Sequence, residues 1–107
     1  MTRYGQVIRV RADKLEEYRQ CHARVWPRVL EMIRECQIRN YSIFHKDGFL
    51  FAYFEYVGNH FEADMAKMAA DPETRRWWDV VKPMQEPLET RAEGEWWAGM
   101  DEVFHTD

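Results

Sequence analysis

Three side chains that can bind a ligand or move a proton recur along one stretch of the sequence. Tyr18, His22 and Trp26 are spaced four residues apart, so on a helix they share one face. An imidazole has a pKa of about 6.5 and can take up and return a proton near neutral pH. A lone histidine on an apolar helix face is more often a core residue bonded to a backbone carbonyl. The spacing is therefore compatible with two interpretations of His22, as part of a proton-transfer site or as a structural histidine.

Aromatic residues supply the other candidate ligand contacts. Trp77 and Trp78 are adjacent, so on a helix they point about 100° apart and only one is expected to face a given cleft. Such pairs usually pack in a core, but an indole also offers a flat apolar face and an N–H donor to a sugar. Tyr41 and Tyr53 lie in β-rich segments, where half-buried aromatic residues are common.

The remaining histidines and acidic residues are weaker candidates for a functional site. His45, His60 and His105 fall in a turn, near a helix start and near the C-terminus, where surface histidines are usual. Glu102 is kept as a candidate second acid or base. No Cys-x-x-Cys or His-x-x-x-His pair is present, so the sequence predicts no metal site.

Composition narrows the class of protein. A chain of 107 residues without a linker-like stretch predicts one domain, residues 1–107. Fifteen basic and 19 acidic residues are interleaved, with a net charge of −4, so no basic stripe for nucleic acid or an anionic membrane is expected. The apolar runs are far shorter than the roughly 20 residues that span a bilayer, and the start lacks a signal-peptide core. These features, with two cysteines predicted on one helix too far apart to pair, indicate a cytoplasmic protein.

The N-terminal third predicts a strand followed by a helix. Residues 4–11 alternate between the two pleat faces and are rich in β-branched side chains. Asp13 and Glu16 resemble a capping box, and apolar residues then recur at helical spacing to about residue 36. Pro27 is expected to kink this first helix, because it removes one backbone donor.

The rest of the chain predicts a hairpin, two helical segments and a last strand. Residues 38–45 and 49–57 form the hairpin about a Lys-Asp-Gly turn. Asn59 is expected to cap a helix to about residue 69, and Asp71 with the following proline begins another. The last strand is placed at residues 103–104.

The order strand, helix, strand, strand, helix, strand is that of a ferredoxin-like α+β sandwich, an antiparallel sheet with helices on one face. The strand at 49–57 is apolar on both pleat faces, so both sides of the sheet should be covered. A second subunit is the expected cover for the side without helices, and a domain this small gains stability by burying more surface. A homodimer is therefore predicted, but the fold alone identifies no activity.

Six segments give the chain a resemblance to the L-rhamnose mutarotase family. They follow the family's order and spacing along essentially the whole chain: Glu17-Tyr18 with His22, Trp26-Pro27, Asn40-Tyr41-Ser42-Ile43, Leu50-Phe51-Ala52, Arg76-Trp77-Trp78 and Glu102-Val103-Phe104. The resemblance implies a dimeric α+β barrel and a cofactor-free isomerase that interconverts the anomers of a 6-deoxy-L-hexose. By the same resemblance His22 corresponds to the proton donor, and Tyr18, Tyr41, Trp77 and Trp78 correspond to sugar-contacting positions.

The chain departs from the family pattern in the turn at 46–48, near residues 57–59 and in the segment 84–97. These departures bear on the substrate, because L-rhamnose and L-fucose share a 6-methyl group and differ in hydroxyl stereochemistry. L-Rhamnose is the first expectation and L-fucose the second. Tyr18, Glu102 and a bound water all remain candidates for the group that complements His22.

Two other functions remain open from the sequence. A dimeric oxygenase or haem-handling protein of the same fold would also place a buried histidine on the sheet. A non-catalytic sugar-binding module would use the aromatic residues as a platform, with His22 purely structural. Colour on purification would favour the former, and a His22→Ala variant that loses no more catalysis than binding would favour the latter.

Overall fold

The computed structural model, which describes residues 1–107, is built on one antiparallel sheet. The strands and helices in chain order are β1 (Thr2–Val10), α1 (Leu15–His22), α2 (Pro27–Glu35), β2 (Ile38–Lys46), β3 (Phe49–Tyr56), α3 (Phe61–Ala70), α4 (Pro72–Val81), β4 (Gln85–Glu86) and β5 (Ala98–Met100). Short 3-10 turns precede α1 at Ala12–Lys14 and follow α4 at Lys82–Met84. The strand order is β2-β3-β1-β4, with β5 also paired to β1, and this confirms the predicted ferredoxin-like α+β fold.

The central hairpin forms where the sequence predicts it. Asp47 and Gly48 connect β2 to β3 and have φ angles of 52° and 83°. Both lie in the left-handed region that a tight two-residue hairpin requires, which asparagine, aspartate and glycine adopt most readily. The pairing continues along the hairpin from Lys46 opposite Phe49.

The predicted first helix is wrong in one respect: it is two helices. α1 ends at His22, Trp26 is extended with φ −60° and ψ 136°, and Pro27 is the first residue of α2. The physical reason is that proline disfavours helical backbone in the residue before it and is well suited to a helix start. Cys21 consequently lies in α1 and Cys36 at the end of α2, and both are free thiols.

The predicted last strand is also misplaced. The strand is Ala98–Met100, whereas Val103 and Phe104 are 96% and 77% exposed and belong to no strand. The fourth strand of the fold is divided, since β4 pairs with the end of β1 and β5 with its middle. Gly5 leaves room for this pairing, because a Cβ there would lie 3.2 Å from the Met100 side chain.

Of the two predicted helix starts in the second half, one is confirmed. The Asp71 carboxylate accepts a hydrogen bond from the Thr74 backbone N–H at 3.0 Å and so caps α4. Asn59 does not cap α3, which begins at Phe61 after His60 and has no side-chain cap.

The helices cover one face of the sheet and form the core with it. Alternate strand residues Ile8, Val10 and Leu50 point to this face and are at most 5% exposed. Tyr18, Trp77 and other helix residues complete the same buried cluster. None of the helices has both the length and the apolar character needed to cross a bilayer.

Candidate functional site

A cleft lies between the helices and the sheet face that they cover. Its volume is about 670 Å³, within the range of about 300–1,000 Å³ that is usual for small-molecule sites. Its walls are mostly apolar and include all five residues predicted to form the site: Tyr18, His22, Tyr41, Trp77 and Trp78. We refer to this space as the aromatic cleft.

His22, at the end of α1, presents one ring nitrogen for a ligand. Its Nδ1 lies 2.8 Å from the backbone carbonyl oxygen of Tyr18. A carbonyl oxygen can only accept, so Nδ1 carries the proton of the neutral imidazole. Nε2 then holds a lone pair and makes no hydrogen bond within the chain. The ring itself is held by stacking on Tyr18, with centroids 4.1 Å apart, and by the edge of Trp77 at 5.2 Å.

Burial sets the protonation state of this histidine. Desolvation lowers the pKa of His22 below its usual range, and the hydrogen bond to the Tyr18 carbonyl opposes this only in part. The imidazole is therefore mainly neutral at pH 7. In that state Nε2 acts as a proton acceptor, and it becomes a donor after taking up a proton.

The phenol of Tyr18 belongs to a buried hydrogen-bonded chain. The Gln85 side-chain amide donates to the Tyr18 hydroxyl oxygen at 3.0 Å, and the Trp96 indole N–H donates to Gln85 Oε1 at 2.7 Å. Tyr18 and Gln85 are each 4% exposed. Burial raises the pKa of Tyr18 to about 12, although the bond from Gln85 acts in the opposite direction. The phenol thus keeps its proton at neutral pH.

The indoles on α4 form one wall of the aromatic cleft. Trp77 is 7% exposed and Trp78 half-buried, yet both line the cleft, so the expectation that only one would do so is wrong. The cleft extends past the end of α4, since Lys82 in the following 3-10 turn lines it too. Trp26 is not part of the lining; it packs edge-on against Trp77 at 5.3 Å, because the chain leaves α1 after His22.

Tyr41 reaches the aromatic cleft because of a β-bulge in β2. The pairing with β3 shifts between Arg39 and Ser42, so two residues of β2 occupy the place of one. Asn40 has a φ of 51°, which suits the left-handed residue of such a bulge. Its Nδ2 donates to Glu55 at 2.7 Å. The extra residue turns Tyr41 to the helix-covered face, where its ring lies 5.6 Å from that of Phe54.

Other residues singled out in the sequence lie outside the aromatic cleft. The Tyr53 hydroxyl donates to Glu55, and Glu102 pairs with Arg3 at 2.8 Å, on the sheet face without helices. His45 accepts from the backbone N–H of Gly48 in the hairpin turn. His60 and His105 do not line the cleft either.

Several cleft residues were not predicted. Gln6 could have been predicted as a cleft residue, because it lies two residues before Ile8 in β1 and so points to the same helix-covered face. No sequence pattern identifies the other three as cleft residues, because the segment that holds them has no helical or strand periodicity: Gln85, Trp96 and Trp97. The Lys82 ammonium lies 5.2 Å from the Trp78 ring and 5.6 Å from the Trp96 ring, in cation–π contact with both.

Comparison with known proteins connects the chain with a family. The family model described as L-rhamnose mutarotase matches residues 3–106. An L-rhamnose mutarotase of Lactiplantibacillus plantarum is 32% identical over 109 residues and covers all of both chains. An L-rhamnose mutarotase of Bacillus subtilis is 36% identical over 86 residues, covering 78% of this chain and 80% of the relative.

Solved structures match the fold over the same length. A crystal structure of an L-rhamnose mutarotase from Formosa agariphila has a TM-score of 0.78 with 18% identity and covers all of both chains. Tetracenomycin F2 cyclase from Streptomyces glaucescens, a type-II polyketide cyclase, has a TM-score of 0.71 with 16% identity, covering 99% of this chain and 96% of the cyclase. At such identities the two structures bear on the fold alone. The family model and the sequence relatives, however, span most of the chain or all of it, and the chain therefore belongs to the L-rhamnose mutarotase family.

Proposed function

We propose that this member of the family interconverts the α and β anomers of L-rhamnose in the aromatic cleft, with L-fucose as the alternative substrate. Family membership makes the protein a sugar mutarotase, an enzyme of the isomerase class. The observation that carries the assignment of the site is the free Nε2 of a neutral His22, placed beside the Tyr18 phenol among indole rings.

The reaction needs two proton transfers and no redox step. As the ring opens, the anomeric hydroxyl loses its proton, the bond between C1 and the ring oxygen breaks, and the ring oxygen gains a proton. The aldehyde end then rotates and the ring closes on its other face. Neutral His22 takes the proton from the anomeric hydroxyl through Nε2 and returns it during closure. In that closing step the imidazolium is the proton donor that the family resemblance implies.

Tyr18 is the better supported complement to His22. Tyr18 lines the cleft together with Gln85, which binds its hydroxyl, whereas Glu102 is bonded to Arg3 outside it. A phenol whose pKa is raised to about 12 is protonated at neutral pH, so it can transfer that proton to the ring oxygen as the bond to C1 breaks and take it back during closure. A water molecule held by this phenol would serve the same step.

The apolar walls fit a 6-deoxy sugar. The faces of Trp77 and Trp78 can pack against ring C–H bonds and the 6-methyl group, while their N–H groups can donate to hydroxyls. Tyr41 closes the opposite side from β2. D-Glucose would place a polar hydroxymethyl group against the same walls, which costs free energy unless a hydrogen bond is made.

We also propose a homodimer formed through the sheet face that the helices leave open. Phe44 and Phe51 lie directly opposite each other on that face and are 64% and 37% exposed, and Met100, opposite Gly5 on the same face, is 42% exposed. Exposed apolar groups this close together are typical of an association surface. The two free thiols suit the reducing cytoplasm as the location.

Exchange NMR of the anomeric protons at equilibrium tests the proposal directly. L-Rhamnose, L-fucose and D-glucose are compared with the wild type, with His22→Ala and without protein. Faster α/β exchange of L-rhamnose with the wild type alone is the expected result. Preference for L-fucose would change the assigned substrate, and no acceleration of any sugar would overturn the mutarotase assignment.

A further inference from the structure

We propose that Gln85, held in one orientation by Trp96, is a positioning residue that commits the Tyr18 hydroxyl to donate its proton to the sugar. The inference deepens the proposed function and rests on it. It concerns two residues that lie in the segment 84–97, where the chain departs from the family pattern.

The direction of each hydrogen bond follows from Trp96. An indole N–H can only donate, so the atom of Gln85 that lies 2.7 Å away must be the accepting oxygen. The amide nitrogen of Gln85 therefore faces Tyr18 and donates to its oxygen at 3.0 Å. With that lone pair in use, the Tyr18 O–H is directed elsewhere, and it makes no other hydrogen bond within the chain. The aromatic cleft is the space into which it can donate.

The backbone holds this chain of bonds in place. Gln85 begins β4 and pairs with Val10 of β1, so its position is fixed by the sheet. It is 4% exposed, and an amide so deeply buried keeps its hydrogen bonds because no water replaces them. Reversing the amide would set its N–H against the Trp96 N–H and lose that bond, while its oxygen would accept from the Tyr18 hydroxyl, so the Trp96 N–H is what keeps the amide in the observed orientation.

A purely structural role for Gln85 makes a different prediction from the positioning role. If the amide only satisfies buried polar groups, its replacement lowers stability and leaves the pH dependence of catalysis unchanged. If it directs the Tyr18 proton, exchanging its donor for an acceptor changes kcat and the shape of the pH profile.

Gln85→Glu makes that exchange with almost no change of shape. An ionised carboxylate accepts from both Trp96 and Tyr18, so the phenol proton is turned away from the sugar. At pH 8 we expect kcat to fall roughly 10²- to 10³-fold, the scale of losing one transition-state donor, with a smaller change in KM. Below the pKa of the new carboxyl its O–H replaces the amide donor, so the ratio of variant to wild-type kcat should rise as the pH falls.

Gln20→Glu is the matched control, because Gln20 is exposed on α1 and the charge change is the same. Trp96→Phe provides a second variant that keeps an aromatic ring but removes the N–H, and it tests the inference if the buried carboxylate prevents folding. We expect a several-fold loss of kcat for Trp96→Phe with little change in melting temperature, and wild-type kinetics for Gln20→Glu.

The experiment is anomeric exchange NMR with L-rhamnose from pH 5 to 9, alongside thermal unfolding of each variant. A kcat ratio for Gln85→Glu that rises toward acid supports the positioning role. Wild-type kcat in both cleft variants, or losses that follow stability with no change in pH profile, would overturn it while leaving the mutarotase assignment intact. A wild type that accelerates no sugar overturns the proposed function and this inference with it.

Discussion

The two faces of the sheet differ in what covers them, although alternate residues of the same strands form both. On β3, Leu50, Ala52 and Phe54 point to the helices and are at most 7% exposed. Phe51 points the other way and is 37% exposed, opposite Phe44 at 64%. One face thus encloses the aromatic cleft, and the other offers apolar surface to solvent.

In the proposed homodimer, this difference would place the chemistry on one face of the sheet and the association surface on the other. The cleft residues Tyr18, His22 and Trp77 come from helices packed on the covered face, and all belong to one chain. The open face contributes no residue to the cleft. Substitutions on the covered face should therefore change catalysis alone, and substitutions on the open face should change assembly alone.

Replacing His22 has the largest expected effect on the covered face. His22→Asn keeps an N–H near the position of Nδ1 for the Tyr18 carbonyl but has no titratable nitrogen. The kcat for anomer exchange should fall by about 10²–10⁴-fold, the usual contribution of one acid–base group. Exchange NMR measures the rate, and sedimentation should show the wild-type oligomeric state. Wild-type kcat in this variant would mean that His22 is structural.

The pH profile gives the next largest effect. Burial lowers the pKa of His22, so the neutral form persists below pH 6.5 and is lost only as the pH falls through the lowered pKa. kcat/KM should stay level near neutrality and then drop about tenfold for each further pH unit. The unfolded chain binds this proton more tightly, so stability also falls on acidification. A profile that rises toward acid would instead make the imidazolium the species that begins the reaction.

Local signals in the sequence account for the scaffold and for one part of the site. Asp71 and the Asp47-Gly48 turn were predicted because backbone geometry there depends on neighbouring residues alone. Tyr41 was predicted as a sugar contact, but its orientation depends on the bulge at Asn40, which a strict alternation of strand residues does not reveal.

Contacts distant in sequence could not be predicted. Gln85 is 67 residues from the Tyr18 hydroxyl that it binds, and nothing near it in the sequence marks it as part of a site. The last strand was misplaced for a related reason: Ala98, Gly99 and Met100 have little β propensity, and they form a strand because β1 offers them an unpaired edge. Pro27 begins α2, but a proline inside an apolar helical pattern is compatible with a kink as well as with a new helix start, and the local sequence does not distinguish the two.

On the open face, Phe44→Asp tests assembly. If a second subunit covers Phe44, the charge weakens association, and the lost apolar burial alone should raise the dimer dissociation constant about 10- to 100-fold. Val80→Asp is the control, since Val80 is 41% exposed on α4 away from the sheet. Sedimentation across a concentration series measures both, and exchange NMR should give nearly unchanged kcat. A wild type that remains monomeric throughout would contradict the proposed homodimer.

The smallest expected effect belongs to Asn40. The bulge there shifts the alternation of β2, so that it changes which residues point to each face of the sheet. Asn40→Val places a β-branched residue at a φ of 51°, which should cost about 1–3 kcal/mol of unfolding free energy and displace Tyr41. Asn40→Gly tolerates the same φ and should keep the bulge, so its stability and KM should stay closer to those of the wild type. Urea unfolding and the KM for L-rhamnose compare the two variants. From the proposed contact of Tyr41 with both anomers of the sugar, we expect KM to rise several-fold in the valine variant with a smaller change in kcat. Equal KM values in the two variants would mean that the bulge does not position Tyr41 for binding.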